Sequence, residues 1–180
     1  YARGALALLD EKPEPHITAI ADALSDKKAQ VRGASAYVLA ELWLAAKSAI
    51  PSLVKALVDE NVDVRRGVAR ALAEMGTAAA SELPGLVEAL KDRDAVVRSQ
   101  IILTLASIGP PAKNTLPQLL ELTTDKSLDV RGAAVFALGE IGWADKAVVS
   151  ALSKALKDDD AEVRKAAAVA MGKLESDESP

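Results

Sequence analysis

The sequence predicts an all-α protein, a right-handed α-α superhelix (solenoid) of antiparallel helix pairs with a 33-residue period. Three observations carry this expectation. A Val-Arg pair recurs at Val31-Arg32, Val64-Arg65, Val97-Arg98, Val130-Arg131 and Val163-Arg164, always 33 residues apart. An aspartate stands six residues before each of those arginines, at Asp26, Asp59, Asp92, Asp125 and Asp158. Between these markers the apolar residues fall three and four apart, as on one face of a helix, and no window alternates convincingly as a strand would.

Each unit begins with a helix A. Pro51, Pro84 and Pro117 lie eight residues before the aspartate in the three central copies, and Thr18 and Ser150 take that place in the flanking ones. Proline suits the first helical turn, where its missing N–H costs nothing. Ile50, Leu53, Val54 and Leu57 then form an apolar stripe, as do Leu83, Leu86, Val87 and Leu90. Ser48, Ser81 and Asn114 are the expected N-caps.

After a short polar turn comes helix B. Its expected caps are Asn61, Asp94, Ser127 and Asp160, with Asp63, Asp129 or Glu162 close behind to favour the positive helix end. Its core stripe reads Val64, Val68, Ala71, Leu72 and Met75 in one copy, and Val97, Ile101, Thr104, Leu105 and Ile108 in the next. In the first copy the stripe centres near Val31, Ala34, Ser35, Val38 and Leu42. Gly76, Gly109 and Gly142 are the expected C-terminal glycines. Trp43 stands where the first full copy should have its glycine, and Thr123 replaces a core leucine in the fourth.

A helix pair cannot bury both of its faces alone, so the units must stack. Residues 1–180 are expected to form one solenoid, a rod or shallow arc about 45–50 Å long at ~8–10 Å between packed helices. Full repeats are expected at 16–43, 48–76, 81–109, 114–142 and 146–174, with a short acidic tail at 175–180. Shifted by one period, Tyr1 falls on Ala34, Leu6 on Leu39 and Leu9 on Leu42, so residues 1–9 read as a half repeat, helix B only. That pattern predicts a longer array with a further Val-Arg upstream. It also predicts end-to-end self-association through the half repeat, whose outer apolar side has no cover.

Composition narrows the chemistry. Half of the residues are hydrophobic but only 3% are aromatic, which suits closely packed helices rich in small side chains. A net charge of -4 argues against nucleic acid or an anionic membrane as the main partner. The chain has no cysteine, hence no disulfide, thiolate nucleophile or cysteine-based zinc site. No apolar run approaches the ~18 residues of a membrane span. The opening YARGALALLDEK lacks the pattern of a signal peptide. The compartment stays open, with the cytoplasm favoured.

The proline, aspartate and Val-Arg markers, with the terminal glycine, resemble HEAT repeats over residues 16–174. The ankyrin and tetratricopeptide signatures are missing. The resemblance implies a structural ladder in which each arginine reaches between neighbouring repeats towards an aspartate: Asp26 and Arg32, Asp59 and Arg65, Asp92 and Arg98, Asp125 and Arg131, Asp158 and Arg164. Arginine suits that role because its planar fork can hold carbonyls and a carboxylate at once.

No catalytic constellation is expected. His16 is the single histidine, beside Pro15, and reads as an exposed residue near a helix start. No Ser-His-Asp set, nucleophile elbow or P-loop spacing is present, and Asp158-Asp159-Asp160 lacks the ligand spacing of a calcium loop. The expectation is a non-enzymatic protein without cofactor or metal.

Recognition is the better prospect. HEAT solenoids present helix B on the concave side, and three rows of B-helix residues would line it. One holds Tyr37, Arg70, Leu103, Phe136 and Val169; a second Gly33, Arg66, Ser99, Gly132 and Lys165; a third Glu41, Glu74, Ser107, Glu140 and Lys173. The partner-binding candidates are Tyr37, Arg66, Arg70, Leu103, Phe136, Glu74 and Glu140, since aromatics and arginine are enriched at binding hot spots. The same residues would also serve to fill gaps between adjacent B helices. Trp43 and Trp143 mark the B-to-A edge, either packing on their loops or sharing a partner contact. The expected function is an interaction scaffold for a protein or peptide. The alternatives are a subunit like the HEAT-like proteins that attach bilin pigments, and a nucleic-acid-binding HEAT-like module. For the latter, Arg66, Arg70, Tyr37 and Phe136 give a faint basic-aromatic face that Glu41, Glu74 and Glu140 interrupt.

Overall fold

A computed structural model describes residues 14–142 and 145–177, with side chains through Leu174. The half repeat expected at 1–9, Trp143 and the last three residues of the tail lie outside the described residues. In chain order the helices are α1 Glu14–Asp22, α2 Ala29–Leu42, α3 Ile50–Ala56, α4 Val62–Met75, α5 Leu83–Ala89, α6 Ala95–Ile108, α7 Leu116–Leu122, α8 Leu128–Ile141, α9 Lys146–Ala155 and α10 Ala161–Asp177. Odd numbers are A helices and even numbers B helices. No strand occurs among the described residues. Helix α10 continues past Leu174 as far as Asp177.

The A helices α3, α5 and α7 are short, seven residues each, because a 3-10 stretch precedes each of them: Trp43–Ala49, Gly76–Glu82 and Pro110–Thr115. Ser48, Ser81 and Asn114 therefore lie inside 3-10 turns and are not the caps. The cap positions are Ala49, Glu82 and Thr115, and none uses its side chain. Proline near the helix start removes one orphan donor and the preceding 3-10 turn carries others in its own bonds, which leaves little for a capping side chain to do. Ser48 instead donates its hydroxyl to the Glu14 carboxylate at 3.0 Å.

The B helices start from conventional caps. The Asn61 side chain accepts from the N–H groups of Asp63 and Val64, and Asp94 accepts from those of Val96 and Val97. Asp160 does the same for Glu162 and Val163. Ser127 takes the same extended backbone (φ -86, ψ 126) without a side-chain bond.

At the far end the glycines differ. Gly76 and Gly109 have φ of 50° and 71°, left-handed values that favour glycine. Gly142 has φ -97°, so conformation does not require it. Space does: a Cβ there would lie 2.6 Å from Val148 Cγ2 and 2.8 Å from the Leu138 carbonyl oxygen. Trp43 adopts φ 51° with a full side chain, a strained state worth about 1–3 kcal/mol. Its indole N–H donates to the Glu74 carbonyl of the next B helix. Trp43→Ala loses the indole and keeps the strain, whereas Trp43→Gly loses the indole and releases it. Trp43→Gly should therefore be the more stable variant by about 1–2 kcal/mol in denaturant melts, the reverse of the order inside a helix.

Successive B helices pack on one another more extensively than any other elements, and successive A helices touch far less. A B helix flanked on both sides and backed by its A helices buries a wider arc than one apolar stripe. Ala36, Ala69, Ile102 and Val135 are fully buried although none belongs to the expected stripe. In α2 the stripe itself shifts: Ala34 and Val38 are exposed and Val31 half-buried, while Ser35, Ala36, Leu39, Ala40 and Leu42 are buried. Thr123 is half-buried and donates to the Leu120 carbonyl at 2.7 Å.

The chain does hold an apolar segment of membrane-spanning length, against the expectation from its sequence. The 28-residue run Ala29–Ala56 is long and apolar enough to cross a membrane by length and composition. It is not one rod. It breaks at Trp43 and again at Ala46 (φ -91, ψ 19), and it carries Arg32 bonded to an aspartate of the next repeat.

Candidate functional site

Two sets of side chains recur along the array, one at the A-to-B turns and one on the exposed face of the B helices. At the turns Arg32, Arg65, Arg98 and Arg131 each grip two repeats. Arg32 donates Nε and Nη2 to the Asp59 carboxylate at 2.5 and 2.8 Å, and Nη1 to the Asp26 carbonyl at 3.0 Å. Arg65 holds Asp92 and the Asp59 carbonyl in the same way, at 2.7 and 2.9 Å. Arg98 holds Asp125 and the Asp92 carbonyl, both at 2.8 Å. Arg131 holds Asp158 at 2.9 Å and the Asp125 carbonyl at 3.1 Å. The aspartate of an arginine's own repeat thus contributes its carbonyl, and the carboxylate comes from the repeat that follows. Arg164 is exposed and donates to the Asp158 and Asp159 carbonyls. The Asp26 carboxylate accepts from the Lys28 N–H at 2.7 Å.

Each ladder carboxylate also takes the N–H two residues on, as Asp59 does from Asn61 and Asp125 from Ser127, both at 2.8 Å. These bonds shift the carboxyls. The Arg32 hydrogen bond holds Asp59 below the usual carboxylate range, and the Arg131 bond does so for Asp158. At Asp125 burial pushes upward, and the Arg98 and Ser127 hydrogen bonds with the charges of Arg98 and Lys126 outweigh it.

On the B-helix face, Tyr37 is 55% exposed, Phe136 39% and Val169 52%, with Leu103 half-buried among them. The charged candidates are not isolated. Arg66 makes a two-pronged bond to Asp94 at 3.1 and 2.6 Å and approaches Asp63 at 3.6 Å. Arg70 donates Nε to Glu74 at 2.9 Å. That bond raises the Arg70 pKa, and the charges of Glu74 and the nearby Glu41 add to it. Lys165 pairs with Glu162 at 3.3 Å. Lys173 pairs with Glu140 and lies over the Phe136 ring, 5.5 Å from its centroid. His16 is exposed on α1. Among the described residues no group of three His, Asp or Glu side chains could hold a metal ion.

Asp94 has a second role that the repeat pattern does not announce, because the pattern marks it as a cap. The Arg66 hydrogen bond, the Val97 and Val96 N–H groups and the Arg66 charge together lower its pKa from 3.8 to about 2. Between those values the folded carboxyl is ionised while the unfolded one takes up a proton, so stability falls as pH drops through this window. The contribution is fully present above pH 3.8 and lost below about 2. Melting temperatures of the wild type and Asp94→Asn should therefore converge as pH falls through it. A constant gap would show that Asp94 is not depressed.

The family model for HEAT repeats matches residues 17–106 and 116–180. The chain belongs to the HEAT-repeat family. Solved structures share the solenoid. An engineered protein superposes with a TM-score of 0.76 at 24% identity, covering 88% of this chain and 79% of its own. A designed armadillo repeat protein in complex with peptide (KR)4 gives a TM-score of 0.71 at 21% identity, covering 86% of this HEAT chain and 80% of its own. The complex of CpcE and CpcF of phycocyanin lyase from Nostoc sp. PCC7120 gives 0.74 at 24% identity, over 89% of this chain and 65% of that one. At these identities the likeness speaks for the fold. A comparison with functionally curated proteins finds no match.

Proposed function

We propose that this HEAT solenoid is a non-catalytic scaffold that binds a partner protein or peptide along the exposed faces of its B helices. The row Tyr37, Arg70, Leu103, Phe136 and Val169 carries the reading, because at one register position it exposes Tyr37, Phe136 and Val169, with Leu103 half-buried between them and Arg70 paired with Glu74. Isolated exposed apolar residues are ordinary, and their alignment in one row supports a contact surface. The closer packing of the B layer supports its being the inner, concave side, since an array bends towards its more tightly packed layer. The designed armadillo repeat protein, solved in complex with peptide (KR)4, is a precedent for a helical repeat array that binds a peptide.

The experiment is a capture comparison. Leu103→Ser combined with Phe136→Ser should abolish retention of the partner while the helical circular-dichroism signal stays unchanged. Undiminished capture by the double variant would move the site to the loops or the A-helix side. A pigment-lyase subunit is the alternative, and a bilin absorbance band carried by the purified protein would favour it.

A further inference from the structure

We propose that the B-helix face selects a partner segment that is basic as well as apolar, with a lysine or arginine side chain set against Tyr37, Glu41 and Glu74 and an aliphatic or aromatic side chain against Leu103 and Phe136. The proposal rests on the B-face reading and adds the chemistry of the partner.

The charge on this face is distributed unevenly. Lys165 pairs with Glu162, and Lys173 with Glu140. At the other end Arg66 lies between two carboxylates, Asp63 and Asp94. Arg70 likewise bonds Glu74 and feels Glu41. The cations of the face are engaged by the chain's own acids, and around Arg66 and Arg70 the four carboxylates of Glu41, Asp63, Glu74 and Asp94 outnumber the two guanidinium groups. A partner with acidic side chains would have to break those pairs, whereas a basic one meets a cluster in which carboxylates outnumber guanidinium groups.

The chain also displays how a cation settles on such a spot. Phe136 is followed four residues later by Glu140, as Tyr37 is by Glu41. Thirty-seven residues beyond Phe136, Lys173 places its ammonium over the ring and pairs with Glu140. The same step from Tyr37 arrives at Glu74, a carboxylate. Tyr37 is thus an exposed ring with a carboxylate at the register position of that ammonium, Arg70 is held on Glu74 beside it, and the half-exposed Trp43 indole is bonded to the Glu74 carbonyl at its edge. A ring face and carboxylates together favour an incoming lysine or arginine by charge and by cation–π attraction.

On α6, between the two aromatics, the face positions are the uncharged Ser99, Leu103 and Ser107, so apolar contact costs no charge burial there. Tyr37 and Phe136 are three repeats apart, ~25–30 Å at the usual helix spacing. An extended segment covers that with about nine residues.

The test uses three fluorescein-labelled peptides of about ten residues, sharing the same leucines and one tyrosine, with lysine, serine or glutamate at every other position. Binding is read by fluorescence anisotropy against the whole protein. The lysine peptide should bind most tightly. Glu41→Gln with Glu74→Gln should weaken it by roughly tenfold, the order of one lost cation–π and charge contact. Glu88→Gln with Glu121→Gln removes the same charge from α5 and α7 and should leave it within about twofold. Equal weakening by both pairs would reduce the effect to net charge and overturn the proposal, as would no binding of the lysine peptide at millimolar concentration. Tighter binding of the serine or glutamate peptide that Leu103→Ser with Phe136→Ser abolishes would also overturn it and leave the B-face reading intact. Lysine-peptide binding that survives that double variant would overturn the B-face reading itself.

Discussion

Arg98→Ala is expected to lower the stability of the protein by about 2–4 kcal/mol. Arg98 and its partner Asp125 are largely buried, with side-chain exposures of 8% and 12%. Removing the guanidinium strands the Asp125 carboxylate with the Ser127 N–H as its remaining partner. It also leaves the Asp92 and Arg93 carbonyls without the Nη1 donor they share. The loss falls at the joint between two repeats, so it should register in both the urea midpoint and the melting temperature. Arg70→Ala is the control. Arg70 also forms an ion pair, with Glu74, but its side chain is 57% exposed, and such a pair on a helix surface is worth less than about 0.5 kcal/mol. Equal losses in the two variants would mean that burial does not separate the ladder from the surface pairs.

Gly139→Leu is expected to cost about 3 kcal/mol or more through overpacking. Even a bare Cβ at Gly139 would lie 2.7 Å from the Ala170 Cβ and 2.9 Å from its Cα. The second of these is backbone, so α10 must move away from α8 as a body. Gly172 gives the opposite expectation. It lies on α10 with nothing within 4 Å of its would-be Cβ. Gly172→Ala should gain about 0.5–1 kcal/mol from helix propensity alone. Thermal melts of the two variants beside the wild type decide the matter: a harmless Gly139→Leu would show that the two helices do not approach this closely.

The glycines illustrate how far the sequence can be read. Gly76, Gly109 and Gly142 look alike in the repeat, and Trp43 looks like a gap in the series. Two of the glycines are needed for a left-handed backbone that Trp43 also adopts, and the third for space beside Val148. The caps divide in the same way. Asn61, Asp94 and Asp160 cap as their spacing suggests, because an N-cap bond closes within three residues. Ser48, Ser81 and Asn114 do not, because the chain enters helix A through a 3-10 turn.

The candidate surface was legible as rows of positions, but its electrostatics were not. Arg66 and Asp94 are 28 residues apart, and Lys173 and Glu140 are 33 apart. Neither pair has a signature, since both depend on how one B helix is offset against the next. That offset also decides that Ala36, Ala69, Ile102 and Val135 are buried in addition to the expected stripe.

By itself the sequence determined the helix pairs, the apolar faces that force them to stack, and the recurring Asp and Val-Arg markers, because each of these is encoded by spacing within one unit of chain. Only the tertiary structure decided that an arginine takes the carbonyl of its own repeat and the carboxylate of the next, that Gly139 is pressed against Ala170, and that the cations of the B face are already paired. The physical reason is that these contacts join groups on different helices. Their distances follow from the rigid placement of one packed helix on another, which close packing of many side chains fixes together and no local propensity encodes.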